Sequence, residues 1–190
     1  MNFREEIIMR IIAGSAGGRK LKSRNTSRVR PTQDRVREAI FNILAPEIPG
    51  TEVLDLFSGF GGLGLEALSR GAREAVFVER DRKNAGVIKE NINRCGFSER
   101  VILRVEDVFS YLETTAETFD IIFMDPPYGK GLAVKAVQKI IKKKVLANRG
   151  LLVIEQHIDD DLQEYRTLNK YKEKIYGSTK ITLLEEDRED

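Results

Sequence analysis

Short apolar runs alternate with helix-periodic segments through most of this 190-residue chain. Val53 to Leu56, Ala75 to Glu79, Val101 to Val105, Phe119 to Met124 and Gly150 to Glu155 read as strands. The fourth is nearly all apolar, as a strand buried on both faces should be. Between them, Gly62 to Arg70 and Leu132 to Lys143 read as helices. So does the segment capped by Asp81, with Ala85, Ile88, Ile92 and Cys95 on one stripe; Gly71 and Gly96 act as stops. This alternation predicts an α/β fold with a mostly parallel central sheet. An earlier helix opens at Pro31-Thr32, with Thr32 as its N-cap and Val36, Ala39, Ile40, Ile43 and Leu44 as its apolar stripe. Arg35 and Arg37 flank that stripe and are expected to face solvent or ligand. Lys174 to Leu184, folded about Gly177, predicts an antiparallel edge hairpin, and the acidic end from Glu185 to Asp190 is expected to fray.

Residues 9–30 break the pattern, being rich in Gly, Ser, Lys and Arg around a Gly17-Gly18 turn signal. They predict a small basic hairpin and arm (1–30) outside the core of a domain spanning 31–190, the whole forming one compact unit. Charge sharpens this division. Between Arg10 and Arg37 stand nine basic residues and one acid, a net of +8, which leaves −6 for the rest of a chain whose total is +2. Clustered cations suit a phosphate backbone, and they equally suit a solvated, loosely ordered terminus.

Composition narrows the chemistry further. Cys95 is the only cysteine and His157 the only histidine. An intramolecular disulfide and a cysteine-rich zinc site are excluded, a Ser-His-Asp triad or histidine metal cluster is disfavoured, and no metal is expected. No apolar run approaches the ~18 residues of a membrane span, and Glu5 and Glu6 precede the first one, the wrong charge order for a secretory signal. A cytoplasmic monomer without membrane contact is the expectation.

Two constellations carry chemistry. Asp55-Leu56-Phe57-Ser58-Gly59-Phe60-Gly61 leads from a strand through a glycine-rich turn into a helix, where doubly wound sheets bind ligands. Gly59-x-Gly61-x-x-Gly64 also matches a dinucleotide fingerprint, with Glu79 twenty residues on. Asp55 argues against a dinucleotide, since a carboxylate at the mouth of the turn repels a pyrophosphate but suits an ammonium and a sulfonium. S-adenosylmethionine carries both. Glu79 is then placed for its ribose hydroxyls and Asp107 for its adenine amine, with Val108 against the ring; Asp107 as a plain helix cap is the alternative.

The second constellation is Asp125-Pro126-Pro127-Tyr128 at the end of the fourth strand. Two prolines fix the backbone and leave a carboxylate and a carbonyl as aimed acceptors, which fits an amino group on an aromatic ring, with Tyr128 as a stacking face. A proline strand terminator is the bland reading of the same residues.

Taken together, Asp55…Gly59-Phe60-Gly61…Glu79…Asp107…Asp125-Pro126-Pro127-Tyr128 resembles the class I S-adenosylmethionine-dependent methyltransferases. With Met9 to Gly14, Arg30-Pro31-Thr32-x-x-Arg35 to Asn42 and Leu54 to Gly59, the chain is similar to the RsmD family from Met9 on; the residues before Met9 lie outside the pattern, and Tyr128 stands where members often have Phe. The resemblance implies a Rossmann-like fold and methylation of the N2 amine of guanine 966 in 16S rRNA, the small-subunit ribosomal RNA. It implies that Asp125, Pro126, Pro127 and Tyr128 handle the target base. Asp55, Phe57, Ser58, Gly59, Gly61, Glu79, Arg80, Asp107, Val108 and Asp125 would hold the cofactor. Arg19, Lys20, Lys22, Arg24, Arg28, Arg30 and Arg35 would grip rRNA, free or in an assembly particle. A DNA adenine-N6 methyltransferase shares the motif, but the chain leaves little room for a duplex-recognition domain. An NAD(P)-dependent oxidoreductase leaves Asp125 to Tyr128 unexplained, and a non-catalytic RNA-binding module leaves the cofactor turn unexplained.

Overall fold

The computed structural model describes residues 9–23, 31–127, 131–160 and 162–187. In chain order its elements are α1 (Pro31–Leu44), β1 (Glu52–Leu56), α2 (Gly62–Ser69), β2 (Glu74–Val78), α3 (Arg82–Cys95), β3 (Val101–Arg104) and α4 (Val108–Thr114). There follow β4 (Phe119–Met124), α5 (Leu132–Lys143), β5 (Leu146–His157), β6 (Leu168–Tyr176) and β7 (Thr179–Glu186). The strands form one seven-stranded sheet in the order β3-β2-β1-β4-β5-β7-β6. The pairs from β3 to β5 are parallel, and β7 runs antiparallel to both neighbours. The α/β reading, with a parallel sheet and an antiparallel C-terminal edge, holds. Because the chain winds outward through β1, β2 and β3 and then crosses back to β4, the order reverses between β1 and β4. A crevice opens there at the carboxyl ends of the strands.

Two apolar layers sandwich the sheet. One face packs against α1, α2 and α3 through Ile40, Phe41, Leu65, Leu68, Phe77, Ile88 and Phe123; the other packs against α4 and α5 through Leu112, Val137, Ile140, Leu54 and Ile122. Local chemistry sets most boundaries. Asp81 caps α3 by accepting from the Lys83 and Asn84 N–H groups, and Gly96 ends that helix in the left-handed region.

Four expectations change. Residues 9–23 do form a hairpin, bridged at Arg10 and Lys20, but Ile11, Ala16 and Leu21 are buried in the α1–α3 layer, so it is part of the core. Its anchor is Glu66 on α2, 0% exposed, which accepts from the Ile12 and Ala13 N–H groups at 2.7 and 3.0 Å and pairs with Arg70 at 2.8 Å. At Gly14 a β-carbon would fall 1.9 Å from the Ser69 carbonyl oxygen, so only glycine permits the approach. Thr32 lies inside α1, which starts at Pro31, and is therefore not its N-cap. β5 begins at Leu146, not Gly150, because Arg149 takes a left-handed conformation and the register against β4 shifts between Phe119 and Ile121, which keeps Ala147 to Arg149 within the strand. The last correction concerns the C-terminus: Glu185 and Glu186 belong to β7, and the hairpin starts at Leu168. Among the described residues no helix is long and apolar enough to cross a membrane.

Candidate active site

At the crevice the turn from β1 to α2 is held by its own backbone chemistry. Ser58 Oγ donates to the Asp55 carbonyl at 2.6 Å and accepts from the Val78 N–H at 3.0 Å, tying the turn to the end of β2. Gly59 N–H donates to Glu79 Oε2 at 2.9 Å, while Glu79 Oε1 accepts from the Asp81 N–H at 2.7 Å. Phe57 takes φ 58° and meets Phe109 edge-on, with ring centroids 6.5 Å apart. Gly61 has φ 80° and precedes α2 without a side-chain cap. Gly64 is forced as well, since a β-carbon there would lie 2.5 Å from the Phe77 ring.

Asp55, 2% exposed, accepts from the Gly64 N–H at 2.9 Å. Its carboxylate therefore occupies the start of α2, where a pyrophosphate would have to lie, and the dinucleotide reading loses its anion site. Burial pushes the Asp55 carboxyl up to about 7; the Gly64 hydrogen bond pulls it down and the Glu79 charge raises it further.

A cleft of about 300 Å³ opens beside the turn. Asp34, Asp55, Asp125 and Glu155 line it with Phe57, Ser58 and Gly59, and Met9 and Ser23 from the hairpin close one side. Asp125 follows β4 directly and is open to solvent through the cleft, whereas Pro126 is buried. Protein packed round its carboxyl, then the Glu155 and Asp55 charges, raise it well above the usual carboxylate range. Glu155 is level with Asp125 because Met124 and Ile154 are register partners.

Arg37 is the unforeseen member. Expected to face solvent or ligand, it is 4% exposed because the hairpin covers its helix. Nη2 donates to the Arg10 carbonyl at 2.6 Å and to Asp34 at 3.0 Å, while Nε and Nη1 have no partner among the described residues. A β-carbon on Gly62 would sit 3.3 Å from Nη1, so that group lies against the start of α2; Arg37 also lines the cleft. Burial lowers its pKa, an effect opposed by the Asp34 and Glu66 charges. Helical periodicity gave no sign of this cover. Glu155, read only as a strand end, could have been found as an acid terminating an apolar strand beside Asp125.

The other site residues scatter. Glu79, Arg80, Asp107 and Val108 do not line this cleft. Glu79 lies behind the turn, touching it through Gly59, and Arg80 is exposed. Asp107 caps α4, accepting from the Phe109 N–H at 2.8 Å, and Val108, 4% exposed, is packed in the α4–α5 layer. Of the basic residues, Arg19 donates to the Arg94 carbonyl and Lys22 pairs with Glu90 at 2.8 Å, while Lys20 and Arg35 are exposed. Arg24, Arg28, Arg30 and Tyr128 lie outside the described residues.

Comparison with known proteins extends over nearly the full length of the chain. A family model described as "Conserved hypothetical protein 95" matches residues 9–185. The ribosomal RNA small subunit methyltransferase D of Haemophilus influenzae is 35% identical over 93% of this chain and 93% of its own length. That of Escherichia coli K12 is 33% identical over 94% and 90%. The solved structure of Escherichia coli yhhF superposes with a TM-score of 0.86 at 32% identity, covering 96% of this chain and 99% of that one. The chain belongs to this family, the RsmD family of methyltransferases.

Proposed function

We propose that the protein transfers a methyl group from S-adenosylmethionine to the exocyclic N2 amine of a guanine in small-subunit ribosomal RNA, guanine 966 by family resemblance. Its membership among rRNA methyltransferases supports the broader activity. One observation carries the reading to the site: Arg37, with three N–H groups on Nε and Nη1 unpartnered among the described residues, shares a cleft with Asp55 and with Asp125 at the end of β4. The amino-acid end of the cofactor is a zwitterion, and it fits this pair, carboxylate toward the guanidinium and ammonium toward Asp55. Each carboxylate oxygen accepts more than one hydrogen bond, so Glu79 can serve ribose hydroxyls beside the Gly59 and Asp81 N–H groups, and Asp107 an adenine amine while capping α4. Phe57, Ser58, Gly59 and Gly61 shape the turn. Once bound, the cofactor supplies an electrophilic methyl carbon on a sulfonium.

An amine on an aromatic ring is a poor nucleophile because its lone pair is delocalised. Asp125 and the Pro126 carbonyl accept its two hydrogens and free the lone pair; Pro127 keeps the strand end rigid, and Tyr128 stacks the base. As the N–C bond forms and the S–C bond breaks, the nitrogen gains a positive charge. Asp125, whose proton affinity is raised by packing, Glu155 and Asp55, takes the departing proton. Positioning carries most of the rate, and the base must leave its stack to enter. Lys20 and Arg35, with Arg24, Arg28 and Arg30, contact phosphates, and Arg19 and Lys22 do so in exchange for their present partners.

The test is incubation with methyl-labelled S-adenosylmethionine and, in parallel, unmethylated small ribosomal subunits, bare small-subunit rRNA and DNA. N2-methylguanine in rRNA, absent with Asp125→Ala, is the expected product. Label in DNA would move the protein to the adenine-N6 class. No label despite S-adenosylhomocysteine binding would sink the substrate assignment.

A further inference from the structure

The cleft presents four carboxylates and one guanidinium, so the phosphates of an RNA strand cannot follow a target base into it. Cations have to receive the backbone outside, on both flanks. On the hairpin flank Arg19 and Lys22 already have partners. On the other flank lies β6, the edge strand, whose sequence Leu168-Asn169-Lys170-Tyr171-Lys172-Glu173-Lys174-Ile175-Tyr176 is exposed from Asn169 to Ile175.

Register fixes where its lysines stand. Glu155 is opposite Ile181, and Ile181 is opposite Lys174. Asp125, one residue past the Met124–Ile154 pair, is therefore in the same cross-strand row as Lys174, three strand spacings away, about 14–15 Å. Ile181 and Leu183 belong to the α1–α3 layer, so Lys174 and Lys172, their partners on β6, are on the sheet face that carries Glu155. Among the described residues neither lysine has an ion pair; Lys170, by contrast, is held by Glu173 at 3.3 Å. Tyr171 and Ile175 flank them, 47% and 54% exposed.

We propose that Lys172 and Lys174, with Tyr171 beside them, form a second RNA-docking surface that takes the phosphate backbone leading away from the cleft. The proposal rests on the reading that the substrate is RNA. Lysines on an edge strand also discourage strand-to-strand association. That role alone explains neither the exposed tyrosine beside them nor their alignment with Asp125 and Glu155.

The experiment measures binding of a small-subunit rRNA transcript, and of small subunits lacking the methyl group, across a salt series for wild type, Lys172→Gln/Lys174→Gln and Lys172→Glu/Lys174→Glu. The Gln pair is expected to weaken transcript binding roughly tenfold near 0.1 M salt and to flatten the log K against log[salt] slope by about 0.7 per lysine. The Glu pair weakens it more. Affinity for S-adenosylhomocysteine and the melting temperature are expected to stay at wild-type values, which shows that the cleft is intact. The proposal is overturned if a protein that binds the transcript keeps its affinity and slope in both variants, or if the variants only self-associate. It is overturned in favour of a protein partner if binding falls for subunits but not for bare transcript. Should wild type bind and methylate DNA but no RNA, the rRNA reading fails, and this surface fails with it.

Discussion

The two walls that flank the cleft handle charge in opposite ways. On the hairpin and α2 side, Glu66, Arg37 and Asp55 are almost fully covered, and each is fixed by backbone groups or another charge. On the β4–β5–β7–β6 side, Lys172 and Lys174 are open to solvent. A buried charge is tolerated only when hydrogen-bonded, so the first wall is rigid and costly to alter; the second can be altered with little effect on folding because water already solvates it. The first wall is therefore suited to one fixed small molecule, the second to a substrate that arrives and leaves.

Removing the anchor of the first wall should produce the largest effect. Glu66→Ala leaves two hairpin N–H groups and Arg70 without their acceptor, and a loss of about 3–5 kcal/mol is expected in urea unfolding. Glu66→Gln, which keeps an acceptor, should lose less. If Glu66→Ala unfolds like wild type, the hairpin is not held in the way described.

The next effect is pH-dependent. Asp55 titrates near 7 in the folded chain and at about 3.9 unfolded. The folded state thus retains a proton that the unfolded chain releases, so stability is highest below pH 4 with respect to this group and falls as pH rises toward 7, by a few kcal/mol at most. Asp55→Asn should abolish that slope and raise the melting temperature of the ligand-free protein at pH 8. A cationic ligand favours the ionised form, so S-adenosylmethionine should bind more tightly at pH 8 than at pH 6 and release a proton, measurable by calorimetry in buffers of different ionisation enthalpy. An identical pH slope in Asp55→Asn would assign the titration elsewhere.

Arg37 separates the walls at the level of one ligand group. A charged hydrogen bond is worth about 1.5–3 kcal/mol, so Arg37→Gln should weaken S-adenosylhomocysteine binding by roughly 10- to 150-fold. Methylthioadenosine, which lacks the amino-acid end, should bind as before. Equal losses for the two ligands would mean that Arg37 shapes the wall without touching a carboxylate.

Why sequence reading found some of these residues and missed others follows from how far each depends on distant chain. Asp81, Gly96 and the Gly59-Phe60-Gly61 turn were legible because caps and tight turns use neighbours a few residues away. Asp55 and Asp125 were legible because strand ends at a switch point are predictable once the α/β alternation is seen. Arg37 was not: its helix shows the apolar stripe, but the cover comes from a hairpin closing 27 residues upstream at Arg10. Lys174 and Glu155 share a row only through the register of β7, which nothing local encodes.

The smallest expected effect gives the hairpin flank a free surface cation like those of the second wall. Lys22 and Glu90 pair at 2.8 Å with side chains 47% and 49% exposed, a surface bond worth about 0.2–1 kcal/mol. Glu90→Gln should therefore change unfolding stability by less than about 1 kcal/mol while releasing a cation next to Ser23 at the cleft edge. Lys22 would then meet phosphate as Lys174 does, and rRNA transcript binding should tighten by a factor of about two to three at low salt, the gain fading as salt screens it. Unchanged affinity in Glu90→Gln would assign Lys22 to the rigid wall outright, as a tether whose partner is the protein and never the RNA.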